Sequence, residues 1–193
     1  MPLLTDKFYS STNNKKTNHY IETGTYLGVG IKSVMDDYSV VHSIELAEKW
    51  YDYNVEQFKG NTNVKMYLGD SKVMLKSILE SINEPVTIYL DAHYSGGTTA
   101  LGDEETPLLF ELELLKQRQY DDIIIIDDCR LLEKSGTCGA EGSEIWPKME
   151  YDWSDITEDK IKNLMKPDYI LLSNENNEYT DGASDQLVLC PKK

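Results

Sequence analysis

Four consecutive isoleucines, Ile123 to Ile126, stand between two pairs of aspartates in the stretch DDIIIIDDCR. A β-strand turns successive side chains to opposite faces, so an unbroken apolar run needs cover on both sides. This favours a parallel sheet with helices above and below over a sheet with one face in water. The rest of the chain alternates in the same sense. The β-type runs HYIET, SVVHSIEL, VKMYLGD and VTIYLDAHYSGG are separated by apolar residues at helical spacing. Ala47, Tyr51, Val55 and Phe58 make one such stripe, with Gly60 as a helix-ending residue. Met74, Leu75, Ile78 and Leu79 make another, capped by Asp70 or Ser71. Leu108, Leu112 and Leu115 form a third, opened by Thr106-Pro107. Residues 131–153 show little periodicity. A short helix over 155–165 and two last strands, YILLS and QLVLC, complete the chain. Five βα units followed by a strand pair predict a doubly wound α/β sheet.

The 193 residues suit a single domain over 1–193, with residues 1–17 a polar lead-in. No apolar run approaches the roughly 20 residues of a membrane span, and the first residues lack the apolar segment of a signal peptide. Cytoplasmic placement is therefore expected, without membrane insertion. The three cysteines, Cys129, Cys138 and Cys190, form no C-x-x-C pair, as expected of free thiols. Acidic residues outnumber basic ones 34 to 19, a net charge of −15. A field of that sign repels nucleic acid and suits a neutral partner or a bound cation.

In open α/β sheets the ligand lies beyond the carboxyl ends of the strands. Here nearly every strand stops on an acid: Glu22, Glu45, Asp70, Asp91, and the pair Asp127-Asp128. After Glu22 come Thr23, Gly24, Thr25, Tyr26 and then Gly28 and Gly30, a turn that leads into an apolar helix start. Strand, glycine turn and helix start together bring backbone N–H groups against a nucleotide-like ligand. The spacing G-x-x-x-G-x-G is not the dinucleotide G-x-G-x-x-G.

The stretch ETGTYLGVG resembles motif I of the class I S-adenosylmethionine (SAM) methyltransferases, and the resemblance extends over about residues 19 to 190. It implies a Rossmann-like, mostly parallel sheet with an antiparallel last strand. It also implies that Glu45, followed by Leu46, accepts the ribose hydroxyls, a position that fits a carboxylate about 20 residues past the glycine turn. Gly69, Asp70 and Ser71 would lie beside the adenine, while Glu22 and Asp91 would face the cationic amino acid end. The plainer alternatives are a solvated helix cap for Glu45 and an N-cap for Asp70.

Asp91, Asp127 and Asp128 at neighbouring strand ends repel one another unless protons or a cation intervene. An all-oxygen set suits a hard divalent ion such as Mg²⁺ or Mn²⁺. The arrangement resembles the metal-dependent O-methyltransferases of the catechol and antibiotic-sugar types, which would make these three the metal ligands. Alternatively, Asp127-Asp128 caps a turn and Asp91 alone meets substrate. His93, two residues past Asp91, stands where the sugar-type enzymes usually carry an aspartate base. An imidazole can take a hydroxyl proton near neutral pH, with Asp91 the next candidate. His93 also fits a metal ligand or a structural donor, whereas His19 and His42 lie in strands and read as packing residues. The loops 94–105 and 131–153 would roof the acceptor with Tyr94, Ser95, Trp146, Tyr151 and Trp153.

The pieces ETGTYLGVG, HSIEL, LDAHYSGG and IIDD resemble small sugar methyltransferases, including methyltransferase domains of glycan-building proteins of large algal viruses. The expectation is thus SAM-dependent O-methylation of a sugar or glycan, rhamnose-containing glycans among them, assisted by a divalent metal. An NAD-binding oxidoreductase and a non-catalytic module of the same fold are the rivals.

Overall fold

The computed structural model describes residues 3–143, 147–182 and 184–193. Its main sheet has seven strands: β1 (His19–Thr23), β2 (Val40–Glu45), β3 (Val64–Leu68), β4 (Val86–Leu90), β5 (Ile123–Ile126), β8 (Tyr169–Ser173) and β9 (Leu187–Pro191). A separate hairpin pairs β6 (Ser135–Cys138) with β7 (Met149–Asp152). The order in the main sheet is β3-β2-β1-β4-β5-β9-β8, parallel except that β9 runs antiparallel to both its neighbours.

The isoleucine run behaves as its composition requires. Ile124 and Ile126 enter one apolar cluster with Ile21, Ile44 and Ile88, while Ile123 and Ile125 enter the opposite one with Tyr20, Val41 and Tyr89. The first cluster is covered by α4 (Ser71–Glu80), α5 (Leu108–Lys116) and α6 (Glu158–Leu164), through Leu75, Ile78, Leu112, Leu115 and Ile161. The second is covered by α1 (Asp6–Thr12), α2 (Val29–Val34) and α3 (Glu48–Phe58), through Phe8, Ile31, Val34 and Phe58. Three helices per face make the sheet doubly wound.

Two local expectations are corrected. The polar lead-in is part of the fold: Phe8 is fully buried, and Leu4 bridges to Thr180. A sequence window scored for polarity hides one such anchor among charged neighbours. Within 131–153 lies the β6–β7 hairpin, too short and exposed to carry an apolar alternation. Gly60 directly follows Lys59, the residue that closes α3, as its place after the apolar stripe predicts.

Below the sheet, Arg118 ties α4, α5 and β4 together. Its guanidinium donates to Asp122 at 2.7 Å, to the Leu79 carbonyl at 2.7 Å and to the Glu84 carbonyl at 2.9 Å. Asp122 is buried and also accepts the Val86 N–H at 3.0 Å.

Candidate active site

The carboxyl ends of β1 and β4, where the strand order reverses, open into a cavity of about 700 Å³. Its floor is built by the turn after β1. Gly24 has φ of +84°, and a Cβ there would overlap the Asp91 carbonyl, so only glycine lets the two strand ends approach. At Gly30 a Cβ would overlap the Glu22 carboxylate, which brings the start of α2 directly onto that acid. Gly28 plays a different part from the one its spacing implies. It does not line the cavity but packs against Asn54 of α3. Thr23 is also buried beneath the floor, its hydroxyl accepting the Asp91 N–H at 3.3 Å.

The acids of the first three strands share one wall. Glu22 accepts from Ser43 at 2.8 Å and is otherwise desolvated, and burial pushes its carboxyl up to about 8. Glu45 is buried, not solvated. It accepts the N–H groups of Thr25 at 3.2 Å, Tyr26 at 2.8 Å and Ala47 at 2.8 Å, so it shapes the glycine turn as well as facing the cavity. Asp70 caps α4 through the Lys72 N–H at 2.8 Å and lines the cavity with Gly69 and Ser71. The same wall carries half-exposed apolar side chains, Leu27, Val29 and Leu46. A chamber with apolar faces and carboxylates along its length fits a flat heterocycle joined to a diol and a cationic tail. SAM has those parts, and the residues present fit it.

Beyond β4 the acids arrange themselves differently from expectation. Asp127 turns away from the other two: one oxygen accepts the Tyr89 hydroxyl and the other accepts Gln186 Nε2 at 3.1 Å. Asp128, in left-handed conformation at φ of +53°, instead reaches His93 Nε2 at 2.9 Å and pairs with Arg130. His93 Nδ1 lies 3.4 Å from Asp91, and Ser95 Oγ is 2.9 Å from Nε2. The imidazole is thus held between two carboxylates, with the Trp153 ring edge-on at 5.6 Å. The all-oxygen set Asp91–Asp127–Asp128 is not assembled. Asp91, His93 and Asp128 each offer a ligand atom, all within 4.8 Å of one another. Arg130 already pairs with Asp128, and His93 lies between Asp128 and Asp91.

The roof loop 94–105 is clasped at Thr98 and at its last residue, Glu105. Trp50 Nε1 donates to the Thr98 carbonyl at 2.9 Å, and Trp153 Nε1 donates to Glu105 at 3.0 Å. Tyr94, Ser95 and Tyr151 line the cavity as expected. Trp153 does not stack on an acceptor: it is 2% exposed, and its indole is spent on core packing and on Glu105. Trp146 lies outside the described residues. Trp50, Glu105, Arg130 and Gln186 were not legible as site residues, because their partners are distant in sequence and no local pattern marks them.

No protein-family model matches the chain, and no curated protein matches its sequence. Solved structures do match in fold. The SAH-bound methyltransferase PaMTH1 of Podospora anserina superposes with a TM-score of 0.59 at 14% identity, covering 97% of this chain and 76% of that one. The N-terminal domain of EvdMO1 with SAH bound gives 0.55 at 11%, covering 98% and 83%. A SAM-dependent methyltransferase from Anabaena variabilis gives 0.53 at 16%, covering 99% and 88%. The fold is that of the SAM-dependent methyltransferases. Within that Rossmann-like methyltransferase fold the antiparallel β9 is the expected last strand, and no described helix is long and apolar enough to cross a membrane.

Burial of two acids in the core has a consequence for pH. Glu22 is held up to about 8 and Glu111, on α5, to about 7, against an ordinary 4.5, by burial in both cases. The folded chain keeps protons that the unfolded chain releases above about 4.5. The stability these groups contribute is therefore full below about 4.5, declines as pH rises to about 8, and is then level. Urea unfolding of the cofactor-free chain is expected to show Glu22→Gln gaining on the wild type between pH 5 and pH 8. A constant difference across that range contradicts the assignment.

Proposed function

We propose that the chain is a SAM-dependent O-methyltransferase that methylates a hydroxyl of a sugar or glycan. The observation that carries this reading is one cavity joining the glycine turn and three strand-end acids to an imidazole braced between Asp91 and Asp128. Glu45 would hold the ribose hydroxyls, Leu46, Asp70 and Ser71 the adenine, and Glu22 and Asp91 the cationic end. SAM, when bound, supplies an electrophilic methyl group. His93 removes the proton from the acceptor hydroxyl, and Asp91 and Asp128 stabilise the imidazolium that results. Tyr94, Ser95 and Tyr151 orient the acceptor, and holding oxygen and methyl at near-attack distance supplies much of the acceleration. A sugar is favoured as acceptor because the cavity is acidic, offers hydrogen-bonding groups, and repels anionic substrates.

The reading routes the proton to His93 and not through an ion, since the imidazole lies between Asp91 and Asp128 and Arg130 already pairs with Asp128. Turnover is expected to survive EDTA; its loss, with recovery on adding Mn²⁺ or Mg²⁺, establishes an ion at Asp91, His93 and Asp128 instead.

Calorimetry with SAM, SAH and NAD, each with and without Mg²⁺, tests the cofactor, and labelled SAM with a panel of oligosaccharides tests the acceptor. Binding of NAD in preference to SAM refutes the reading. Glu45→Ala is expected to weaken SAM binding by about 1–3 kcal/mol, because a charged acceptor of two hydroxyls is lost. Unchanged affinity in a folded variant removes Glu45 from the site.

A further inference from the structure

The roof loop crosses both halves of the cavity. Tyr94 and Ser95 line it beside His93, whereas Thr99, Ala100 and Gly102 line its other half. A Cβ on Gly102 would stand 3.6 Å from Asp70 Oδ2 and 3.6 Å from Leu46 Cδ2. This part of the loop therefore lies against the side chains assigned to the adenine. The sequence alone places the whole loop over the acceptor; the fold carries its second half across to Leu46 and Asp70.

Little holds that second half down. The neck of the loop is closed by the Tyr94 N–H, which donates to the Glu105 carbonyl at 2.8 Å. The next stretch bonds to itself: the Thr99 N–H and hydroxyl both donate to the Gly96 carbonyl, at 3.1 and 2.8 Å. Leu101, the one large apolar residue of the tip, is 60% exposed, so burial does not anchor it. Among the described residues, two polar contacts join the tip to α3 and α4. Trp50 Nε1 donates to the Thr98 carbonyl at 2.9 Å, and Lys72 Nζ lies 3.7 Å from Asp103. The Asp103 side chain is 91% exposed, which leaves the ion pair weak and the indole bond as the principal latch.

The indole is set in place from its own side of the cavity. Tyr26 and Tyr53 stand edge-on to it, with ring centres 4.7 and 6.0 Å away, and Lys49 Nζ lies 4.4 Å over its face. An indole has one donor and no acceptor, so the Thr98 carbonyl takes its whole hydrogen-bonding capacity. Every group in the latch belongs to the chain itself, so it can close with or without a ligand beneath it.

We propose that residues 97–104 are the gate through which the cofactor enters and leaves, with Trp50 the positioning residue that latches it. The proposal rests on the reading of this wall as a SAM site. A gate that stands mostly shut slows entry and exit by the same factor, because each waits on the same opening. Loosening the latch speeds both and leaves the affinity nearly unchanged. A side chain that only touches the cofactor behaves otherwise, since its loss speeds exit alone.

Trp50→Phe keeps an aromatic ring beside Tyr26 and removes the N–H. Asp103→Lys sets a second cation facing Lys72 and changes only an exposed loop position. The test measures association and dissociation rates of tritiated SAH in the wild type and both variants, with amide hydrogen exchange over 94–105 in the absence of ligand. Trp50→Phe is expected to raise both rates about three- to tenfold, the effect of one net hydrogen bond, with Kd within about twofold. Asp103→Lys is expected to raise both about twofold at low salt and less at high salt. Exchange over 97–104 should quicken in both variants while β1 and β4 stay protected. Faster dissociation with unchanged association in Trp50→Phe makes the indole an ordinary binding group and overturns the proposal. Quicker exchange with both rates unchanged overturns it as well, since the loop then opens without gating the cofactor. Should Trp50→Phe fail to fold, Asp103→Lys decides by whether the two rates rise together. A wild type that binds no SAH refutes the methyltransferase reading, and the exchange measurement still decides whether Trp50 latches the loop.

Discussion

His93→Ala is expected to lower kcat by roughly 10²–10⁴ while leaving SAM affinity nearly unchanged. The imidazole's one contact with the residues assigned to the cofactor is Asp91, at 3.4 Å from Nδ1, while Glu22, Glu45 and Asp70 stay as they are, so cofactor binding should move little. What is lost is the group that accepts the hydroxyl proton. Two carboxylates are also left facing each other, with only Arg130 to balance Asp128. His93→Gln separates these effects, since it keeps a polar side chain between the acids but cannot take a proton at neutral pH. Single-turnover rates with saturating SAM read the chemical step directly. Full activity in His93→Ala moves the base to Asp91, and a loss confined to KM makes His93 a binding group.

Arg118→Ala is expected to destabilise the fold by about 3–5 kcal/mol. The pair it forms with Asp122 is buried, and removing one partner of such a pair leaves an uncompensated charge. Three carbonyls, of Leu79, Ile82 and Glu84, lose a donor at the same time. The cost should appear as a lower urea midpoint. Arg118→Ala with Asp122→Asn should recover part of it, because the stranded charge is then gone. A variant within about 1 kcal/mol of wild type means that water reaches Asp122 and replaces the guanidinium.

Features that depend on short-range pattern were legible before folding. The isoleucine run demanded cover on both faces, and helices lie on both faces. The acid at each strand end and the glycine turn after β1 were placed correctly at one cavity, because the ends of parallel strands are neighbours in any such sheet. The capping role of Asp70 was equally local.

Tertiary structure alone decided how the acids are shared. Asp127 and Asp128 are adjacent in sequence, but consecutive residues leave a strand in different directions. The left-handed turn at Asp128 sends that side chain to His93, while Asp127 stays with Tyr89 and Gln186. Gln186 lies 59 residues away from Asp127, and Arg118 reaches the Leu79 carbonyl across 39. Trp153 likewise reads as a stacking surface in a loop and becomes core once Glu105 takes its N–H. Hydrogen bonds and ion pairs of this kind depend on side-chain direction and on partners brought together only by folding. Apolar periodicity records which face of an element is buried, but not which polar groups meet there.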